Sequence, residues 1–160
     1  MPRTDLAIAV SLSQSLLEAE WSAFNSCPGG PLETTTLLES LPATSLPSAE
    51  ERAMLCARVA EDNKAKDIVV LDLRGLTPLY DFFVIVTGAS RRQMHTLADE
   101  CEAALRNVGD RRQSLQGYQG SRWIVEDFGD VMVHVFDQEA REYYALDDLW
   151  ADAVKVDWQR

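Results

Sequence analysis

Between Met94 and Val108 apolar residues return at every third or fourth place (Met94, Leu97, Ala98, Cys101, Ala104, Leu105, Val108), with mostly polar residues between them. That spacing lines one side of an α-helix. Ser90 stands where an N-cap belongs, with Gln93 as its capping-box partner, and Gly109 follows the last periodic residue in the usual C′ place. A second helix is predicted from residue 49 to about Asn63. Ser48 and Glu51 form its capping box, and Leu55, Cys56, Val59 and Ala60 fall at helical spacing. Elsewhere the pattern is that of strands. IVVLDL at 68–73 is β-branched and apolar and stops ahead of Gly75; DFFVIV at 81–86 is continuously apolar after its Asp, as expected of a central strand covered on both faces. SLQGYQG at 114–120 is a weak, Gly-broken edge candidate, whereas RWIVEDF at 122–128 and DVMVHVF at 130–136 are strong. Asp137 then caps a last helix to about Leu149 or Trp150. The order α-β-β-α-β-β-β-α predicts an α/β fold: a mixed sheet of about five strands with helices packed on it.

Phe128-Gly129-Asp130-Val131 joins the two strong strands, and glycine at the first central position suits a two-residue type II′ hairpin turn. Such a turn fixes the register. One face then carries Ile124, Glu126, Phe128, Val131, Val133 and Val135, apolar apart from the glutamate, and should lie on helices. The other carries Trp123, Val125, Asp127, Met132, His134 and Phe136. Large aromatics mixed with Met, a carboxylate and a histidine resemble a protein interface more than a plain core. The alternative is that the terminal helix covers this face, with Tyr143 or Tyr144 packed there and His134 simply hydrogen-bonded.

The chain has 160 residues, 46% of them hydrophobic, which predicts one principal folded domain. Twenty-six acidic against 15 basic residues give a net charge of −11, which argues against a protein that holds DNA or RNA by neutralising phosphates. No stretch approaches the roughly 18 apolar residues of a membrane span, and no secretory leader is evident. Cys27, Cys56 and Cys101 are odd in number and lack a CxxC pair, so a reducing cytoplasm is expected. Composition shifts near residue 48. Residues 1–48 hold one basic and five acidic residues, and 27–48 is crowded with Pro, Gly, Ser and Thr, so 1–48 reads as an N-terminal extension and flexible linker. A helix over about 4–24 is possible on its apolar spacing. An organelle transit peptide would be Arg-rich and acid-poor, which this leader is not. Residues 49–160 form the expected domain.

Chemistry is sparse. His95 and His134 lack companions at metal-ligand spacing, and nucleophile elbows and phosphate-binding loops are absent, so no metal, cofactor or catalytic residue is expected. Asp67, Asp72 and Asp81 lie at or near strand ends, and a pair of them facing one pocket could hold Mg²⁺ for nucleotidyl transfer. This is the enzymatic alternative. No Gly-Ser phosphate-holding turn precedes them. Arg91 and Arg92 at the start of the long helix sit against its dipole, and are either solvated or kept for an acidic contact.

Two strings carry more specific information: AKDIVVLDLRGLTPLYDFFVIVTGASRRQ at 65–93 and GYQGSRWIVEDFGDVMVHVFDQEAREYYALDDLWADA at 117–153. Together they resemble the ribosomal silencing factor family, whose plant relative is Iojap, over most of 49–157. The resemblance implies a nucleotidyltransferase-like fold without catalysis. It implies docking on the large ribosomal subunit at the ribosomal protein numbered fourteen, where the small subunit would join, so that translation is held back when nutrients are short. Trp123, Asp127, His134, Arg141 and Tyr144 become the expected partner-binding residues, and a homodimer off the ribosome is possible. A role in ribosome assembly is the second alternative.

Overall fold

The computed structural model describes residues 46–120 and 122–159, so the expected N-terminal helix and nearly all of the linker lie outside the described residues. Helix α1 spans Ala49–Asp62 and begins with the expected capping box, Ser48 accepting from the Glu51 amide while the Glu51 carboxylate accepts from Ser48. Strand β1 is Lys66–Asp72 and β2 is Phe82–Thr87, every residue of which is buried. Helix α2 runs Arg91–Asn107. At its end the Asp110 amide bonds to the Leu105 carbonyl and the Gly109 amide to Arg106, with Gly109 at φ +93°, a left-handed cap that glycine adopts without Cβ strain. Strands β3 (Ser114–Gln116), β4 (Trp123–Asp127) and β5 (Val131–Phe136) follow. The chain closes with α3 (Gln138–Tyr144), α4 (Leu146–Leu149) and β6 (Val154–Lys155).

The sheet has six strands in the order β3-β4-β5-β2-β1-β6, one more than expected. All its pairings are antiparallel except β2 with β5, the two strands at its centre. The predicted hairpin register is observed residue for residue from Trp123 opposite Phe136 to Asp127 opposite Met132. Gly129 alone of the two turn residues has a positive φ, +88°, and the Phe128 amide bonds to the Val131 carbonyl at 3.0 Å. The weak edge candidate narrows to three residues. The remainder of its QGYQG loop folds over α2, where Tyr118 stacks on His95 at 4.3 Å and donates its hydroxyl to Asp99.

Each face of the sheet has its own core. Helices α1 and α2 cover the first, burying Ala53, Cys56, Leu97, Cys101 and Leu105 on Val84, Val86, Ile124, Val133 and Val135. Buried Arg52 joins α1 to the turns beyond it, through Asp110 after α2 and Asp130 in the hairpin at 2.7 Å. Gln93 behaves differently from a plain capping-box partner. Its oxygen accepts from Ala89 and its amide donates to the Asn63 and Lys64 carbonyls, tying α2 to the end of α1. On the second face, Leu71, Leu73, Phe83, Ile85 and Phe136 pack with Ala140, Leu146 and Ala153 from the C-terminal elements.

The single last helix expected from the sequence is two helices. Ala145 takes left-handed angles, φ +43° and ψ +49°, turning the chain so that Leu146 is buried and Asp147 returns to Arg141. Neither an unbroken helix nor the sequence spacing alone would bring those two together.

Candidate functional site

The second face is covered only in part, and its aromatic residues form one connected set. Trp123 lies 4.9 Å from Phe136 and 4.9 Å from Tyr144, ring centre to ring centre. Tyr143 stands perpendicular to Tyr144 at 5.1 Å. Inward, His134 meets Phe83 edge-on at 4.7 Å, and Phe83 touches Tyr80 and Trp150, each at 5.6 Å. The set therefore grades from a buried centre, Phe83 and Phe136, to exposed Tyr143 and Tyr144. Adjacent helix residues project about 100° apart, so a Tyr-Tyr pair at the end of a short helix cannot turn both rings inward. Tyr143 is 80% exposed and Tyr144 43%.

The five expected site residues separate by exposure. Trp123 is half-buried and Tyr144 exposed, and their rings meet at a tilt. Asp127 is half-buried at the hairpin end, where its carboxylate accepts from the Gly129 amide at 2.8 Å. His134 and Arg141 are buried, and each supports the surface from beneath. Trp123's indole N–H donates to His134 Nδ1 at 3.3 Å; since indole can only donate, Nδ1 accepts and the proton sits on Nε2. Burial, with Arg141 nearby, pushes the His134 pKa down to about 3, so the ring is neutral. His134 Nε2 has no hydrogen-bond partner among the described residues. Arg141 pairs with Asp147 at 2.7 Å, reaches the Asp67 carbonyl at 3.1 Å and Thr87 at 3.4 Å, and so pins α3 and α4 to β1 and β2. The alternative weighed from sequence thus holds at the centre of this face, around His134 and Phe136, while the rim stays open.

Sequence reasoning named Tyr143 only as a residue that would cover this face and did not single out Arg122 or Glu139. They line, with Gly120, Trp123 and Tyr144, a groove of about 430 Å³ at the rim. Arg122 is held there between Asp137 and Glu139, both at 2.6 Å. Arg91, unfavourable for its own helix, bonds to the Gly120 carbonyl at 3.2 Å beside the groove.

Of the carboxylates of the enzymatic alternative, Asp72 and Asp81 stand at adjoining ends of β1 and β2 with the Arg74 guanidinium near both. Asp72 is bonded to Arg74, whose guanidinium holds its carboxyl below the usual range, and Asp67 is exposed on a bulge at φ +47°. Among the described residues no group of three or more His, Cys, Asp or Glu side chains is placed to hold a metal ion, and no helix is long and apolar enough to cross a membrane.

Comparison with known proteins agrees with the resemblance in the motifs. The family model described as "Ribosomal silencing factor during starvation" matches residues 46–160. The Ribosomal silencing factor RsfS of Halalkalibacterium halodurans is 37% identical over 110 residues, covering 69% of this chain and 94% of that protein. Its counterpart in Bacillus subtilis is 36% identical over 103 residues, 64% and 87% of the two chains. The chloroplastic Iojap protein of Zea mays is 32% identical over 66% of this chain, which spans 46% of its length. Among solved structures, one from Chromobacterium violaceum superposes with a TM-score of 0.64 at 34% identity, covering 66% of this chain and 88% of that one. One from Bacillus halodurans gives 0.59 at 35%, covering 68% and 98%. The two bacterial relatives are named for a regulatory role and not for a reaction. With its sheet, its two cores and its matched residues 46–160, the chain belongs to the ribosomal silencing factor family.

Proposed function

We propose that this chain docks on the large ribosomal subunit through the ribosomal protein numbered fourteen, and that by occupying that place it blocks joining of the small subunit and represses translation when nutrients are short. The single observation that carries the reading is the half-open aromatic face, exposed at Tyr143 and Tyr144 and half-buried at Trp123, while the opposite face is filled by α1 and α2. Aromatic anchors of this kind dominate protein interfaces energetically. Trp123 and Tyr144 make the contact, Asp127 holds the hairpin end at its edge, and His134 and Arg141 fix the surface from below. The acidic chain favours a basic ribosomal protein over ribosomal RNA or DNA. A steric block needs only occupancy, and an interface of roughly 1,600 Å² in total would suffice. The protein acts in the cytoplasm, without a cofactor. Residues 1–48 are an extension outside the docking domain.

Sedimentation of purified subunits tests this. The protein should travel with large subunits alone and lower the yield of joined ribosomes, and Tyr144→Ala should reduce both effects in a folded protein. Recovery on small subunits, or undiminished joining at saturating protein, would refute it.

A further inference from the structure

We propose that the rim groove between Trp123, Tyr143, Tyr144 and Glu139 receives a single Lys or Arg side chain of the docked protein. This rests on the docking reading above and adds the chemistry of one subsite. Three aromatic rings line it at different tilts, 44° between Trp123 and Tyr144 and 89° between Tyr143 and Tyr144, so the ring planes are not parallel to one another. An aromatic face carries negative potential and attracts a cation within about 6 Å of its centre. Gly120 and Ala140 contribute almost no bulk to the lining, and nothing lies within 4 Å of where a Cβ on Gly120 would stand, which leaves the entrance open. At about 430 Å³ the groove holds a long side chain with room to spare.

Charge selects the occupant. Arg122, which lines the groove, is gripped by the carboxylates Asp137 and Glu139, and with Arg91 beside the groove on the Gly120 carbonyl these nearest charges balance, so the excess comes from the chain around them. Residues 137–152, which run through α3 and on through α4, carry six carboxylates and one guanidinium, Arg141, and that guanidinium is turned inward to Asp147. A phosphate would meet repulsion here. A plain apolar side chain would gain nothing from the carboxylates, whereas an ammonium or guanidinium satisfies ring faces and carboxylates together.

The test measures binding to purified large subunits by variants at Tyr143, whose 80% exposure makes loss of folding no concern. Tyr143→Phe keeps the ring face and should bind like the wild type. Tyr143→Leu keeps apolar area but loses the face, and should bind roughly three- to thirtyfold more weakly, the range expected of one cation–π contact. Glu139→Lys should weaken binding as well. If Tyr143→Leu binds normally while Tyr144→Ala fails, the face docks but holds no cation, and only this proposal falls. If neither variant changes binding, the docking reading falls with it. A loss in Tyr143→Phe equal to that in Tyr143→Leu would assign the effect to the hydroxyl, and tighter binding by Glu139→Lys would make the occupant a phosphate. A change in self-association alone would give the groove to a second copy. Each of these three results overturns the proposal.

Discussion

Two buried titratable side chains on neighbouring strands, each facing a different core, pull the stability in opposite directions. Glu126 is wholly buried under α2; its carboxylate bonds to Arg112 at 2.7 Å, one oxygen has no hydrogen-bond partner among the described residues, and burial raises its pKa from 4.5 to about 7. The folded state therefore keeps a proton there that the unfolded chain releases, and its stabilisation is present below pH 4.5 and lost as pH rises toward 7. His134 does the reverse. Its pKa falls from 6.5 to about 3, so the unfolded chain takes up a proton that the fold refuses, and stability is gained as pH rises from 3 to 6.5. Between pH 4.5 and 6.5 the two slopes oppose each other, each near 1.4 kcal/mol per pH unit. Glu126→Gln should expose the histidine slope, leaving a protein about 2–3 kcal/mol more stable at pH 6.5 than at pH 4.5, where the wild type is nearly level. Urea unfolding at the two pH values checks this; a mutant as level as the wild type would contradict it. His134 was legible in the sequence as a residue of the second face, and so was the chance that it lay covered. That it supports the surface from within was not, because alternation assigns a face and cannot say how deeply α3 and α4 cover it.

At the scale of elements, legibility followed the length of the repeating pattern. α1, α2, the central strand and the β4–β5 hairpin each rest on several turns or on a register that one glycine fixes, and each was found within a residue or two. β6 escaped because two residues pair with β1 and no pattern is that short, although Val154, Val156 and Trp158 do alternate. The break at Ala145 escaped because alanine is the strongest helix former and gives no sign of left-handed backbone. Its cause is tertiary: burial of Leu146 and the Arg141–Asp147 pair override local preference. Two outcomes follow for this corner. Ala145→Gly, relieving the Cβ clash, should raise the unfolding free energy by about 1 kcal/mol. Arg141→Met should lower it by about 2–3 kcal/mol, since Asp147 and the Asp67 carbonyl lose their partner, and should weaken ribosome binding by displacing Tyr143 and Tyr144. Calorimetry beside a binding assay separates this from Tyr143→Leu, which should change binding without moving Tm.

For the molecule as a whole, charge and chain length make the remaining predictions. The Ser48 capping box and both cores lie within residues 48–159, so a chain beginning at Ser48 should melt within a few degrees of the full protein and still bind; a large fall in Tm would show that residues 1–47 pack on the domain. The net charge of −11 makes encounter with a basic partner an electrostatic event. From sequence, Asp127 is the natural residue to reverse, but its carboxylate closes the hairpin turn through the Gly129 amide, so Asp127→Lys would confound folding with charge. Glu142 and Asp148, both exposed on the α3–α4 wall and outside the aromatic contacts, are the cleaner pair. Reversing both to Lys changes the local charge by four while leaving the rings in place. Rim charges act chiefly on the association rate, and over a screening length of about 8–10 Å at physiological salt their effect fades as ions are added. The double variant should therefore associate with large subunits several-fold more slowly at low salt, dissociate at nearly the wild-type rate, and lose most of the difference by about 0.5 M salt. Stopped-flow measurements across ionic strength decide it. An unchanged association rate, or a loss confined to dissociation, would mean that the acidic wall faces away from the partner and that the aromatic rim docks without steering.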